Sequence, residues 1–270
     1  MVAVESNSRN TLKDRYILIP VEMCSFALSQ KFIRPCQLYI YLKSKCSGKI
    51  ILHKKDLKLI AETLGLSSGR AIQNNLKILR QANWIGYNPK TNIYFIRSFD
   101  CVRTQHGFIS RSCAEFDKRE IKQFKAFLAG AIISNLVNSQ RRGKWITERQ
   151  KGRSNQIIRQ PSVYFPVANL ALAKVLNVSI STAFEFKKLA HKAGYIKLEK
   201  NFKDTRVNPK FAKAYKRNYS EIAHKIKFHQ GKLMIQGIDT VFPCVRFKRR
   251  KKIETYIKGN SNFKTLDTSL

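Results

Sequence analysis

The chain has 270 residues, 43% of them hydrophobic, with 52 Lys and Arg against 17 Asp and Glu, a formal net charge of +35. That length holds one large or two modest domains at roughly 100–200 residues each. The charge is spread: residues 1–110 carry 17 basic and 6 acidic side chains (+11), 111–207 carry 20 and 7 (+13), and 208–270 carry 15 and 4 (+11). This excludes a neutral protein with one basic tail and points to a polyanionic partner that relieves self-repulsion.

In chain order, residues 1–34 read as an N-terminal extension: a polar start, a strand at 16–21 with Pro20 at an edge position, and a short helix at 26–32. A first unit spans 35–110. Pro35 opens a helix with Leu38, Tyr39, Tyr41 and Leu42 available to a core. Ile50, Ile51 and Leu52 form a short strand. A helix from Lys54 ends at Leu64-Gly65, and Ser67 or Ser68 can cap the next by accepting a free backbone N–H. There Ile72, Leu76 and Leu79 recur on one face, and Asn83 leaves in a left-handed turn. Two strands follow, 84–87 and 93–96, joined by the turn 88–92. Residues 98–113 read as a connector.

A second unit spans 111–207. Ile121, Phe124, Phe127, Leu128, Ala131, Ile132 and Leu136 make a long helix with one apolar stripe. Glu115, Asp117 and Glu120 fall at its start, where the helix dipole accounts for them. An insert at 138–162 carries Arg141, Arg142, Lys144, Arg149, Lys151, Arg153 and Arg159 against Glu148 alone, with Gly143 and Gly152 as flexible points. Such a length without clear structure is usually functional or disordered; a basic arm that orders on DNA and a solvated loop are the alternatives. A strand is expected at 163–165 and a helix at 170–176, followed by the turn Asn177-Val178. Ser179 to Thr182 opens a helix whose buried side is Ala183, Phe186, Leu189 with Ala190, and Ala193. Residues 208–257 read as a basic extension: a helix at 211–228, a hairpin of 232–235 with 241–247, and six basic residues among the seven of 246–252. Residues 258–270 read as a disordered tail.

The two units repeat one pattern. Ser68, Ala82, Asn83, Trp84 and Ile85 recur as Ser179, Ala193, Gly194, Tyr195 and Ile196, each 111 positions on. Ala61 and Leu64 recur as Ala173 and Leu176 at 112, so the first copy has one more residue in its turn. Ser179-Ile180-Ser181-Thr182 and Ala193-Gly194-Tyr195-Ile196 resemble the recognition helix and first wing strand of the winged helix–turn–helix superfamily. The resemblance covers roughly residues 35–97 and 115–207, with Asn83 where Gly is usual and Lys187 where an apolar residue is usual. It implies a mainly α fold with small β-hairpins (α+β), two tandem winged-helix units and a basic C-terminal extension. The overall arrangement also resembles two-winged-helix plasmid replication initiators.

The partner so implied is double-stranded DNA. On the open side of the first recognition helix lie Ser68, Arg70, Gln73, Asn74 and Lys77. Arg suits guanine and Gln or Asn suits adenine. The second helix offers Ser181, Thr182, Glu185, Lys188 and His191. Glu185 suits cytosine or a pair with Lys188, and Phe184 suits thymine methyls or packing against the basic insert. Lys90, Lys200, Lys203 and Arg206 on the wings should meet phosphates, which position without reading sequence. Arg141 and Arg142 of the insert and Arg249 and Arg250 of the C-terminal run are further phosphate candidates.

The expected function is sequence-specific duplex-DNA binding, as a transcriptional regulator of a phage, plasmid or other mobile element. Replication initiation on origin repeats, RNA binding, a structural nucleoprotein and a DNA-processing enzyme are the alternatives. Catalysis is not expected, because clustered carboxylates for metal-dependent cleavage are lacking. Cys24, Cys36, Cys46, Cys101, Cys113 and Cys244 have no zinc-type spacing; reduced, mostly buried thiols and no cofactor or metal are expected. No apolar run nears the ~20 residues that cross a bilayer, and residues 1–7 lack the pattern of an export signal. A cytoplasmic, nucleoid-associated location fits; oligomeric state is open between monomer and homodimer.

Overall fold

The computed structural model describes residues 15–46, 48–150 and 164–250. Expectations for residues 1–14, for 151–163 (including Lys151, Arg153 and Arg159) and for 251–270 fall outside the described residues. The fold is α+β, with four small antiparallel sheets of three strands each among the described residues. Two compact units divide it: Met1–Lys125 with Arg246–Leu270, and Ala126–Val245. The sequence divides differently, at 110 and 207, because the strands that close both units come from the C-terminal stretch.

The first unit opens with β1 (Tyr16–Pro20) and α1 (Val21–Ser29). This helix starts five residues before the expected position, since Val21, Met23, Cys24, Ala27 and Leu28 all face the core. Then come α2 (Ile33–Lys45), β2 (Lys49–Ile51) and α3 (Lys54–Leu64). The Asp56 carboxylate accepts the His53 N–H at 2.8 Å, and Gly65 ends α3 at φ 66. Next are α4 (Gly69–Gln81), β3 (Ile85–Asn88) and β4 (Ile93–Ile96). The sheet order is β2-β4-β3. Residues 98–113 are not a plain connector. Ser98 accepts the Cys101 N–H at 3.1 Å and caps α5 (Phe99–Gln105), and β5 (Ser112–Asp117) pairs with β1. A 3-10 segment, Lys118–Gln123, leads onward.

Trp84 is the centre of this unit. It is fully buried, within 4.9 to 6.0 Å (ring centroids) of Phe32, Tyr39, His106 and Phe26. Its indole N–H donates to His106 Nε2 at 2.8 Å. That bond needs the neutral ring, and burial lowers the His106 pKa below 6.5. A folded-state pKa below the unfolded one leaves stability full above pH 6.5 and lost as pH falls through the folded value. Urea midpoints read on Trp84 emission in a Trp145→Phe background should drop between pH 7 and 5. His106→Gln, which keeps an acceptor but does not titrate, should flatten that slope.

The second unit takes most of α6 (Phe124–Gln150). The helix covers the first half of the expected insert, 138–150. No Pro interrupts it, and a helix once nucleated propagates through polar residues. Then come β6 (Phe165–Pro166), α7 (Asn169–Leu176), α8 (Ile180–Lys192) and β7 (Ile196–Glu199). After β8 (Phe202–Asp204) the expected helix at 211–228 is broken. It comprises a 3-10 turn Pro209–Phe211, α9 (Ala212–Asn218), which ends at Tyr219 (φ −114, ψ 55), and a second 3-10 turn Ser220–Lys225. The last of that range is β9 (Ile226–His229), followed by β10 (Lys232–Gln236) and β11 (Thr240–Pro243).

The expected hairpin of 232–235 with 241–247 does not form. β10 lies between β8 and β9, where Leu233, Ile226 and Ala212 make a small core with Val207, Tyr215, Ile222 and Ile235. β11 lies between β6 and β7. The order β6-β11-β7 reproduces β2-β4-β3, with the same helix pair between the first strand and the third. Where the first copy has the turn 88–92, the second has residues 200–239, which carry their own sheet. The chain then returns to the first unit as β12 (Phe247–Arg249), paired with β5.

Candidate nucleic-acid interface

The helix pair α3–α4 and the pair α7–α8 match bond for bond. Gly65 (φ 66) and Asn177 (φ 49) end the first helices. Leu66 N–H donates to Ala61 at 2.8 Å, and Val178 N–H to Ala173 at 3.0 Å. Ser68 Oγ accepts from Ala71 N–H at 3.4 Å and Ser179 Oγ from Thr182 N–H at 3.1 Å. At the far ends Asn83 (φ 58) and Gly194 (φ 80) hold the left-handed exit. Trp84 N–H donates to Leu79 and Tyr195 N–H to Ala190, at 2.9 and 3.0 Å. Asn takes the left-handed conformation more readily than other non-glycine residues, so Asn83 serves where Gly is usual.

On α4, Ile72, Asn75, Leu76 and Leu79 are buried, while Ser68, Arg70, Gln73, Asn74 and Lys77 are exposed. On α8 the buried set is Ala183, Phe186, Lys187 and Ala190. Leu189 and Ala193, expected in the core, are only half-buried. Ser181, Glu185 and Lys188 are exposed, and Thr182 is half-buried with its hydroxyl 2.8 Å from Ser179 Oγ. His191 is exposed, with Nδ1 3.3 Å from the Ile196 carbonyl. Lys187 is 3% exposed. Its ammonium donates to the Val167 carbonyl at 2.8 Å and lies 3.8 Å from Asp239. Burial lowers its pKa and Asp239 opposes that shift. The cation at an apolar position thus ties α8 to the segments that flank β6 and β11.

The turn that carries Lys90 is held by Asn88, whose Oδ1 accepts the Lys90 N–H at 3.0 Å, and its tip is exposed. Lys200, Lys203 and Arg206 are exposed but do not form a β7–β8 hairpin, because β7 pairs with β11 and β8 with β10. Arg141, half-buried, and Arg142, exposed, lie on α6 rather than on a loose arm. Arg249 is exposed. Arg250 departs from its assignment: its guanidinium is 3.2 Å from Asp100 and 5.0 Å from the Phe99 ring centre. Of the acids, Glu115 departs from expectation and sits in β5 with Lys248 at 2.8 Å, whereas Asp117 caps the 3-10 segment, pairing Arg15 and Arg119 as well, and Glu120 lies in its first turn.

Two basic features were missed in the sequence. Arg80, exposed on α4, lies 4.9 Å from the Tyr87 ring centre, and with Lys77 and Gln81 it lines a depression. The repeat would have found it, since Arg80 and His191 are 111 positions apart. A cleft lined by Lys45, Lys118, Arg119 and Lys122, with Tyr41, Ser44 and Thr63, joins positions too far apart in sequence to be grouped. Among the described residues no three His, Cys, Asp or Glu side chains gather as metal ligands. The six thiols are unpaired; Cys24, Cys36 and Cys113 are buried, and Cys46, Cys101 and Cys244 only partly so. Among the described residues no helix is long and apolar enough to cross a membrane. The chain matches no protein-family model, no curated protein and no solved structure.

Proposed function

We propose that this chain is a sequence-specific double-stranded-DNA-binding protein built on two tandem winged helix–turn–helix units. The observation that carries the reading is the twice-built helix, α4 and α8, with one flank buried and a polar flank open. It belongs to a chain of net charge +35, and a helix so disposed fits the major groove. We propose regulation of a phage, plasmid or other mobile element as its use, in the cytoplasm with the nucleoid. Replication initiation is the second reading. Two reading helices with different open flanks would give a bound chain a direction along an array of repeats.

Selection of binding sites from random duplex DNA tests the first claim, with one bipartite motif expected. Footprinting on the source replicon separates the uses: a single promoter operator supports regulation, and an array of repeats supports initiation. On the selected site Arg70→Ala should lose discrimination at one base position, by ~1–3 kcal/mol. Lys90→Ala should weaken all sequences alike and reduce the salt slope by about one. Equal effects of both changes on every sequence would remove the recognition role of α4.

A further inference from the structure

The correspondence of 111 positions holds along the whole of α4 and α8. Buried Ile72, Asn75, Leu76 and Leu79 correspond to buried Ala183, Phe186, Lys187 and Ala190. Open Arg70, Gln73, Asn74 and Lys77 correspond to Ser181, Phe184, Glu185 and Lys188. The backbone is repeated while its open chemistry is replaced. Phe184 is 48% exposed and Ile180, one turn before it, 53%. The two lie one turn apart, so they form one apolar strip on the open flank, where the first copy has Gly69 and Gln73. The neighbours of Phe184 and Ile180 on that flank, Ser181, Lys188 and Lys192, are polar or cationic, which suits an anionic partner with a local apolar feature. In the major groove that feature is the C5-methyl of thymine. Glu185 points the same way. It forms no ion pair with any described residue, and a carboxylate facing DNA is repelled by phosphate but can accept a hydrogen bond from the cytosine amino group.

We propose that α8 reads pyrimidines, with Phe184 and Ile180 against thymine methyl groups. The contacts of α8 then differ in kind from those of α4, whose Arg, Gln and Asn suit purine edges. This rests on the DNA-binding reading above and adds the identity of the bases.

The test uses the full chain and the duplex recovered by selection. Each thymine is replaced in turn by deoxyuridine, which removes only the methyl, and affinity is measured at fixed salt. At one or two thymines the loss should be about fourfold, as for one buried methyl-sized group. Phe184→Ala should bind thymine and uracil alike at the position Phe184 covers, and Phe184→Ala with Ile180→Ala should do so at every position. Phe184→Gln, which installs the residue of the first copy, should match Phe184→Ala and gain preference for adenine there. Uracil tolerated at every position, or an equal uracil loss in wild type and every variant, would overturn the inference while DNA binding stands. A selection that returns no motif would overturn both.

Discussion

Asp100→Ala should lower the stability of the first unit by about 3 kcal/mol, although Asp100 itself is largely exposed. The loss arises at its partners. Arg103 is 1% exposed, with one guanidinium nitrogen 3.2 Å from the Asp100 carboxylate and another donating to the Ser110 carbonyl at 2.8 Å. Its Nε is buried without a partner. Arg250 reaches the same carboxylate oxygen at 3.2 Å. Removing the acid leaves a buried guanidinium without its counter-charge, which costs ~3–5 kcal/mol in dry sites; the exposure of Asp100 puts the expectation at the low end. Arg250→Ala should cost only about 1 kcal/mol, the worth of a partly exposed ion pair with a ring contact. Urea unfolding followed on Trp84 in the Trp145→Phe background measures both, and a change below about 0.5 kcal/mol for Asp100→Ala, the usual surface range, would refute the assignment.

Gly130→Ala should destabilise the second unit by about 2 kcal/mol, against helix propensity. Ala exceeds Gly by ~1 kcal/mol inside a helix, so an exposed site would gain. Here a Cβ on Gly130 would overlap the Cβ of Tyr195 and lie 3.3 Å from its Cγ. Tyr195 cannot yield easily. Its N–H donates to Ala190 at 3.0 Å, its carbonyl accepts from Cys244 N–H at 3.2 Å, and its ring lies 5.6 Å from that of Phe127. Overpacking of this kind costs ~1–3 kcal/mol and at times more. Hydrogen exchange would localise the loss to α6 and β7. A Tyr195→Ala background should keep most of the penalty, because Ala retains the Cβ, whereas Tyr195→Gly should remove it.

Local rules carried the helix pairs into view. Ser68 and Ser179 cap, Asn83 and Gly194 exit, and the apolar spacing between them fixes the buried face. All of these are decided within about fifteen residues. The sheets depend on distant partners. Nothing near β11 tells that Val241 will sit opposite Leu198 rather than beside β10. The basic run at 246–252 reads as a free patch because the pairing of Phe247–Arg249 with Ser112, Cys113 and Ala114 spans more than a hundred residues. The candidate site was legible where it lies on α4 and α8. It was not legible for Arg80 or the Lys45 cleft, which need the fold to be assembled first.

Residues 240–249 supply the middle strand of one sheet and an edge strand of another. Neither half can therefore finish folding until a ribosome has translated residues 240–249. Until then β5, β6 and β7 each keep an edge open to wrong pairing, and a stop codon just upstream of that stretch would release a product with neither half complete.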